Sequence, residues 1–546
     1  KKSCYSWWFK ISKYLPIMEE KQMELTDKQI KDLVARRHPE YIKKKEHWDF
    51  LASTYAGGRA WFDDNIFRYF KEGDQEFKER LERAYRFNHT REVVNLINKY
   101  LFKEDIHRNV EEAPEPIQKF WKRATRQNVS IDGFMSALDL QSSIYGRVWV
   151  VVDSTMDSDA ESVADEKKKD VRAYAYWISP QQMLDMAWDD DGNLIWALIV
   201  EVARDDQDPF TSSGQEYQRY RLWTRNEWFL FREEVKKGAG NAGRRTAKVV
   251  LEDKGEHKLG VVPVFPVDCI GESESPYFSP SLIDDIAYLD RAVANYLSNL
   301  DAIIQDQTFS QLAIPVQSLL PGDENHAKVM EMGTKRVFTY DSESGNQPFY
   351  LSPDPKQAQM IITTIQTVIN EIYHSVGVAG ERTKQDNAKG IDNSSGAAKL
   401  YDFQRVNSLL ITKAERLERA ERQMMFLAAK WMGVDLDEEH SLIAYPESFD
   451  IRGLTDEFAV AEKLGLLEAP DSVRRYQMEM LIEKIFPNIS AAMQKEFEKD
   501  LLNFPPKNAL NTLENKSVLT YHRDTVQESG QDLSQGNGNS STQATE

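Results

Sequence analysis

Apolar residues recur at helical spacing through the first part of the chain. Thr26 and Gln29 have the spacing of a capping box, which marks the start of a helix. Further helical patterns run through Phe77 to Ala84 and through Thr90 to Leu101. The segment from Thr26 to about Phe102 is therefore predicted to be helical.

Between Gly146 and Ile270 the pattern changes to short runs of β-branched and aromatic residues, separated by turn signals such as Asp191-Gly192. The predicted strands are Val148 to Val152, Ala173 to Ile178, Leu194 to Val200, Tyr217 to Trp223, Trp228 to Phe231 and Val261 to Val267. Helices followed by a largely antiparallel sheet predict an α+β fold for the first half of the chain.

Beyond the sheet the pattern predicts longer helices. The first, Ser281 to Phe309, has one apolar stripe and would be ~43 Å long. The second begins at Pro355, with Asp354 as its N-cap, and ends near Gly377. The third runs from about Ala397 to Met432. The more solvent-exposed face of this third helix is predicted to carry Glu415, Arg416, Glu418, Arg419, Glu421 and Arg422.

Shorter elements fill the remaining segments of the second half. Strands are predicted at Arg336 to Tyr340, Gln347 to Leu351 and Ser441 to Tyr445, and helices at Asp456 to Leu467, Ser472 to Ile485 and Ala491 to Leu502. Gly380 to Gly396 is predicted to be a polar loop, and Gln527 to Glu546, rich in Ser, Gln and Gly, to be disordered.

The composition is typical of a chain with packed cores. Of its 546 residues 41% are hydrophobic and 29% charged, and the formal net charge is -19. Collagen-like, wholly disordered and disulfide-scaffold proteins are excluded, and two cysteines are too few for a cysteine-rich zinc site. No apolar run approaches the ~18 residues of a membrane span. The acidity argues against tight wrapping of nucleic acid, which Lys and Arg would have to carry.

Patterns that suggest an enzyme are weak. Gly238, Gly240 and Gly243 have the spacing of a dinucleotide fingerprint, but lysines precede them where a buried strand should be, so a hairpin tip is favoured. The chain has no P-loop sequence. Asp284 and Asp285 could form a metal-binding pair, but adjacent helical side chains point about 100° apart, which favours solvated helix-start residues. We predict no catalytic residue, no metal and no cofactor.

The second long helix has a polar stripe that is unusual for a solvent-facing surface. Gln359, Thr363, Gln366, Asn370 and His374 share one face, whereas ordinary exposed helix faces carry Lys and Glu. This stripe suggests a surface that faces a neighbouring molecule or a lumen. The alternative is a plain helix surface, on which Gln and Thr are also tolerated.

The order of these parts resembles that of the portal proteins, the head-to-tail connectors of tailed double-stranded-DNA bacteriophages. No single motif is diagnostic, and the specificity comes from the order of helix, small domain, helix, loop and long helix. The local sequence that carries the resemblance is His38-Pro39-Glu40-Tyr41, Trp48, Tyr55-Ala56-Gly57-Gly58, Arg86-Phe87-Asn88-His89-Thr90, Leu101-Phe102, Val262-Pro263-Val264-Phe265, Ser279-Pro280-Ser281-Leu282-Ile283-Asp284, Leu289-Asp290-Arg291, Asn295 and Ser298.

The resemblance implies a division of the chain into the parts of a portal subunit. After an unusual N-terminal extension, 1–25, these are a wing, 26–272, with helices and then a mainly antiparallel sheet; a first stem helix, 273–310; a small α/β clip, 311–354; a second stem helix, 355–378; a tunnel loop, 379–396; a long kinked helix with a returning wing strand, 397–453; a helical crown, 454–504; and a disordered tail, 505–546.

The resemblance also implies a twelve-fold ring whose axial channel passes double-stranded DNA. The tunnel loop would touch DNA through Arg382, Lys384, Lys389 and Asn393, although a plain solvated loop is the alternative. The stem would line the channel with Asp301, Asp306, Gln359, Thr363, Gln366 and Asn370. The clip would dock partners through Lys328, Lys335 and Arg336.

The implied partners are those of a capsid vertex. They are further copies of the chain, the packaging terminase, the head-completion adaptor, and the major capsid and scaffolding proteins, with the ring in the virion and in the host cytoplasm during assembly. Two alternatives from other classes stay open. One is a metal-dependent phage nuclease or packaging ATPase subunit, and the other is a coiled-coil scaffold without a channel, which the sheet-rich first half disfavours.

Overall fold

The chain folds into two compact units, residues 1–449 and 450–546, each described here by itself. The computed structural model describes residues 25–70, 72–155, 171–236, 246–271, 275, 277–308, 311–315, 337–340, 347–351, 356–377, 396–437, 441–447, 449, 463–464, 470–485, 493, 497, 499–502 and 504. Within these residues, no helix is both long and apolar enough to cross a membrane.

Helices open the first unit, as predicted. Thr26 and Gln29 form the expected capping box, in which the Thr26 hydroxyl accepts from the Gln29 N–H and the Gln29 side chain accepts from the Thr26 N–H. The helices are α1 (Asp27–Val34), α2 (Pro39–Ala56), α3 (Arg59–Asn65), α4 (Asp74–Arg83), α5 (His89–Leu101), α6 (Glu115–Lys122) and α7 (Ile131–Tyr145).

Antiparallel sheets follow the helices, which confirms the α+β class. The strands are β1 (His107–Arg108), β2 (Arg147–Ser154), β3 (Ala173–Ile178), β4 (Met183–Trp188), β5 (Leu194–Arg204), β6 (Glu216–Thr224), β7 (Glu227–Lys236), β8 (Thr246–Glu256) and β9 (Val264–Asp268). β2 lies between β3 and β9, and β4 to β8 form a five-stranded meander in sequence order.

The six strands predicted in this region are present, and two further strands were missed. β4 lacks the β-branched residues that signal a strand, and β8 ends in a charged run. The glycines predicted at a hairpin tip, Gly238 to Gly243, lie outside the described residues. The strands on either side of them, β7 and β8, pair antiparallel, with Lys236 opposite Thr246.

In the part of the chain that the structure describes, three long helices and a small sheet follow in the first unit. The long helices are α8 (Asp284–Thr308), α9 (Lys356–Ser375) and α10 (Gly396–Trp431). The small strands are β10 (Gln311–Pro315), β11 (Val337–Tyr340) and β12 (Phe349–Leu351), and the last strand is β13 (Ile443–Ala444). β10 pairs parallel with β11 and antiparallel with β12. All three helices are as predicted, while β10 was missed.

The main core joins the helices to the three-stranded sheet of β2. Buried side chains from α5, α7, α8, α9, α10 and β2 form one apolar cluster. The α10 helix runs across this cluster, and the indole N–H of Trp431 donates to the carbonyl of Val152 at 2.8 Å. A second cluster fills the space between α1, α2 and the five-stranded sheet. Burial on this scale is the main stabilising contribution to the unit.

The prediction that Glu421 lies on the more solvent-exposed face of α10 is wrong. Its side chain is fully buried and accepts two hydrogen bonds from Arg108 on β1, at 2.7 and 3.1 Å. The Tyr445 hydroxyl, just after β13, donates to the same carboxylate at 2.7 Å. Burial raises the pKa of Tyr445, and the adjacent Glu421 carboxylate raises it further. A charged pair therefore ties β1, α10 and the chain after β13 together.

A second buried charge on α10 was not predicted. The Lys413 ammonium lies 2.8 Å from Asp139 of α7, and it donates to the Ser143 hydroxyl at 2.9 Å and to the Cys269 sulfur at 3.2 Å. Asp139 also accepts a 2.9 Å hydrogen bond from Asn98 of α5. The ammonium thus has one ion-pair partner and two hydrogen-bond acceptors inside the core, in line with the rule that buried charges are paired.

The second unit contains the predicted helix near Ser472, observed as α11 (Asp471–Ile485). Within this unit the guanidinium of Arg475 donates to the carbonyl of Phe504 at 2.7 Å. The helices predicted at 456–467 and 491–502 fall on described residues only in part. The predicted disordered tail lies outside them.

Candidate functional site

The α8 helix is held against the N-terminal helices by buried polar side chains. Asp290, only 1% exposed, accepts from the Thr90 N–H at 3.3 Å and from the Thr90 hydroxyl at 2.9 Å. Its other carboxylate oxygen lies 3.1 Å from the His89 Nδ1. Both partners lie in the first turn of α5, which Asn88 caps. Asp290 thus fixes the start of α5 on the second turn of α8.

Further along α8, Asn295 and Ser298 hold the loop between α3 and α4. The Asn295 side-chain amide donates to the Asn65 carbonyl and accepts from the Phe67 N–H, both at 2.9 Å. The Ser298 hydroxyl accepts from Arg80 at 2.8 Å, and Arg80 also donates twice to Glu72, at 2.7 and 2.8 Å. The hydrogen bond from Arg80 lowers the pKa of Glu72, so the pair stays ionised.

The N-terminal end of α8 corrects one expectation. The Ser281 hydroxyl donates to the Ser143 and Ile144 carbonyls, at 2.9 and 2.8 Å, and the Ser281 N–H donates to Asp284 at 2.9 Å. Asp284 was expected to be a solvated residue at the helix start, but its carboxylate also lies 2.7 Å from the His47 Nε2. Asp285, its neighbour, is exposed as expected.

The α9 helix presents an exposed face without charge. Between Gln357 and Asn370 it has no Asp, Glu, Lys or Arg. Gln359, Thr363, Gln366 and Asn370 are all exposed and share this face, while the opposite face packs into the main core. The Thr363 hydroxyl donates to the carbonyl of Gln359 in its own helix at 2.9 Å. The face therefore offers neutral amide groups and threonine methyl groups to whatever lies beside it.

The other predicted site residues are either paired within the chain or outside the part that the structure describes. Asp301 lies in an ion pair with Arg83 of α4 at 3.2 Å, so its charge is balanced within the same chain. Asp306 lies within α8, and its side chain is outside the described part. The predicted loop residues Arg382, Lys384, Lys389 and Asn393 and the predicted docking residues Lys328, Lys335 and Arg336 all lie outside the described residues. Their roles stay predictions.

One residue of this region stands out in the sequence only for its charge. Arg291, the one Lys or Arg in the sequence of α8, lies over three aromatic rings, those of Phe50, Tyr288 and Phe67. Tyr288 is three residues before Arg291 on the same helix, but Phe50 and Phe67 come from α2 and the loop after α3 and could not be grouped with it from the sequence. In the described residues, no three His, Cys, Asp or Glu side chains converge to hold a metal ion.

Comparison with known proteins gave one family and several solved structures. The family model described as phage portal protein, SPP1 Gp6-like, matches residues 40–437. No curated protein matches the chain.

Structures of gene transfer agent (GTA) particles are among the solved structures that match. The neck of an empty GTA particle with C6 symmetry is 12% identical, with a TM-score of 0.36, over 70% of this chain and 90% of that one. A chain of the native GTA virion is 12% identical, with a TM-score of 0.37, over 77% and 99%. The neck of the native particle with C12 symmetry is 11% identical, with a TM-score of 0.35, over 70% and 89%.

Proposed function

Because the chain belongs to the SPP1 Gp6-like family of phage portal proteins, we propose that copies of it close into a ring at one vertex of a capsid. The axial channel of this ring passes double-stranded DNA during packaging and ejection. Portal proteins are structural rather than enzymatic, so the nuclease and ATPase alternatives are not supported.

The uncharged face of α9 is the observation that supports a DNA channel. Duplex DNA that must slide cannot be held by many fixed cations, because each neutralised phosphate strengthens binding through counterion release. Gln359, Thr363, Gln366 and Asn370 offer no cation and no strong anion. A wall of such groups neither binds the phosphates tightly nor repels them.

The remaining parts follow the division expected of a portal subunit. α8 and α9 are the stem helices, and the small sheet of β10 to β12 belongs to the clip. Residues 26–272 form the wing, 379–396 the tunnel loop and 454–504 the crown. The contacts of Asp290, Asn295 and Ser298 serve to anchor the stem on the wing, so that the channel wall keeps its position while DNA moves past it.

Each proposed partner meets a different part of the ring. The clip, with Lys328, Lys335 and Arg336, docks the terminase during packaging and the head-completion adaptor afterwards. Arg382, Lys384 and Lys389 of the tunnel loop touch DNA transiently. The crown faces the capsid interior, and the ring meets the major capsid and scaffolding proteins in the host cytoplasm during assembly and then in the virion.

Electron microscopy of the purified full chain tests the ring. We expect closed rings with a central opening wide enough for B-form duplex, and a solution mass that is a fixed multiple of the 63.1 kDa subunit. Particles without an opening, or a monomer at every concentration, would overturn the proposal.

Lysine substitutions test the channel wall. Gln366→Lys together with Asn370→Lys places two cations per copy on the face of α9, and both positions are exposed, so folding should be unaffected. Each additional phosphate that these lysines neutralise steepens the salt dependence of DNA binding by ~0.9 in log–log slope. We expect slower packaging in a reconstituted system, with partial recovery as the salt concentration rises.

A matched control separates the effect of position from that of charge. Gln127→Lys together with Gln215→Lys adds two cations at exposed loop positions distant in sequence from α9. This variant should package like the unmodified protein. If the α9 double variant packages at the same rate as this control at low salt, α9 does not line the channel.

A further inference from the structure

Arg291 is the centre of an aromatic cluster where α8 meets α2 and the loop after α3. Its guanidinium carbon lies 4.6 Å from the ring centre of Phe50, 5.0 Å from that of Tyr288 and 5.3 Å from that of Phe67. Tyr288 is 45% exposed and Phe67 is 58% exposed. We name these four residues the Arg291 cluster. Arg and large aromatic residues are the types that dominate binding energy at protein interfaces.

The cluster is held in place before any partner binds. The Phe67 N–H donates to Asn295 of α8, and the Phe67 carbonyl accepts from Arg80, both at 2.9 Å. Arg80 in turn is fixed by its paired hydrogen bonds to Glu72, on the same loop. A rigid surface loses little conformational entropy on association, which favours its use as an interface.

Arg291 has no carboxylate partner among the residues that the structure describes. Its guanidinium interacts with the faces of the three rings. Once water is removed, such cation–π contacts stabilise the charge less than an ion pair with a carboxylate does. Burial of this cluster against another molecule would therefore favour a partner that brings a carboxylate and apolar groups to the rings.

The α9 helix carries a stripe with that composition beside its uncharged face. Met360, 65% exposed, is followed at helical spacing by Thr364, Thr367 and Glu371. The Thr364 and Thr367 hydroxyls donate to carbonyls of their own helix, at 2.9 and 3.0 Å, which leaves their methyl groups outward. Glu371 is exposed and has no ion-pair partner within the described residues. We name these four residues the Met360 stripe.

The Arg291 cluster and the Glu371 end of the Met360 stripe lie near one level of the two helices. His89 contacts Asp290 of α8 through a 3.1 Å hydrogen bond and faces the Tyr373 ring of α9, with ring centres 6.0 Å apart. Arg291 is one residue from Asp290 and Glu371 is two residues from Tyr373, which places each within ~3 Å of this level.

We infer that the Met360 stripe of one copy packs against the side of α8 that carries Arg291 in the next copy, where Glu371 pairs with Arg291. This inference rests on the ring proposed above. Rotation about a ring axis leaves height unchanged, so in a ring whose axis runs along these helices Arg291 stands opposite Glu371 of the neighbour. The contact is heterologous, with different faces on its two sides, as a closed ring requires.

Charge reversal with rescue tests the pairing. Arg291→Glu or Glu371→Arg alone places like charges opposite each other, whereas the double variant restores an opposite pair. For the full chain, we expect each single reversal to raise the subunit concentration at half-assembly by at least about tenfold, measured by mass photometry. The double variant should return to within about threefold of the unmodified protein.

Two further variants provide a test of the Met360 stripe and a control for altered charge. Met360→Lys changes an exposed side chain and should weaken assembly without changing the thermal unfolding of unassembled subunits. Lys122→Glu alters charge at an exposed position on α6 and should leave assembly unchanged. Circular dichroism of every variant identifies any that fails to fold.

The outcomes separate this inference from the proposed function. If the unmodified chain forms rings and both single reversals assemble equally well, or the double variant is no better than the singles, the pairing is wrong while the ring stands. If the unmodified chain never assembles, the proposed ring itself is wrong.

Discussion

Lys413→Met should destabilise the first unit by breaking a buried charge pair. The ammonium and the Asp139 carboxylate are each about 1% exposed, and their closest atoms are 2.8 Å apart. Burial lowers the pKa of Lys413, but the Asp139 carboxylate and Cys269, through their charges and hydrogen bonds, together raise it by more, so the side chain remains charged in the core. Methionine fills a similar volume, so the substitution removes the charge and creates little cavity.

The expected loss follows from what the substitution leaves behind. Asp139 would keep its 2.9 Å hydrogen bond from Asn98 but lose its cation, and the Ser143 hydroxyl would lose a donor. Removing one partner of a buried pair costs about 3–5 kcal/mol, because the other charge stays desolvated. Removing both charges should cost far less, since a buried pair is often no better than neutral side chains.

A double-mutant cycle measures this difference. Lys413→Met, Asp139→Asn and the combined variant are compared with the unmodified chain by thermal unfolding, together with hydrogen exchange of the α7 and α10 amides. We expect both single variants to lose protection in α7 and α10, and the double variant to recover most of it. If the losses of the singles simply add in the double variant, the two charges are not coupled and the reasoning is wrong.

Two other predictions concern pH and backbone geometry. Burial lowers the pKa of His257, whose Nε2–H donates to the Thr224 carbonyl at 3.1 Å, so the unfolded chain takes up a proton that the folded chain does not. Stability should therefore fall as pH drops through about 6.5, and His257→Phe should have a shallower dependence of unfolding temperature on pH; parallel curves would contradict this. Gly146 has φ +81°, and a Cβ there would lie 2.0 Å from the Ser279 carbonyl oxygen. Gly146→Ala should thus lower the unfolding temperature far more than Gly192→Ala, which has φ +80° but open space around it; equal effects would refute the clash.

The sequence predicts the elements that rest on local patterns. The capping box at Thr26 and the spans of α8, α9 and α10 follow from spacing within a few turns. The strand β4 could not be predicted, because Met183 to Trp188 lacks β-branched residues and takes its strand conformation from pairing with β5. Its pairing is a tertiary effect that outweighs intrinsic propensity.

The candidate site could be predicted only where one helix face defines it. The exposed, uncharged face of α9 follows from its sequence alone. Glu421 looks like its exposed neighbours on α10 because Glu and Arg alternate there, and only its distant partner Arg108 reveals that it is buried. Likewise, the rings around Arg291 come from three separate segments. Contacts that join residues hundreds of positions apart leave no periodic signal in a single sequence.

The pairing of β1 with β13 has a mechanical consequence. His107 lies opposite Ala444 and Arg108 opposite Ile443, so the chain between them leaves and returns at one place. The described elements from α6 to α10 thus belong to one segment whose two ends are paired, and next to this pairing Arg108 also forms an ion pair with Glu421. A force applied to this segment is therefore borne by both of its ends, and neither end can separate unless the pairing of β1 with β13 breaks.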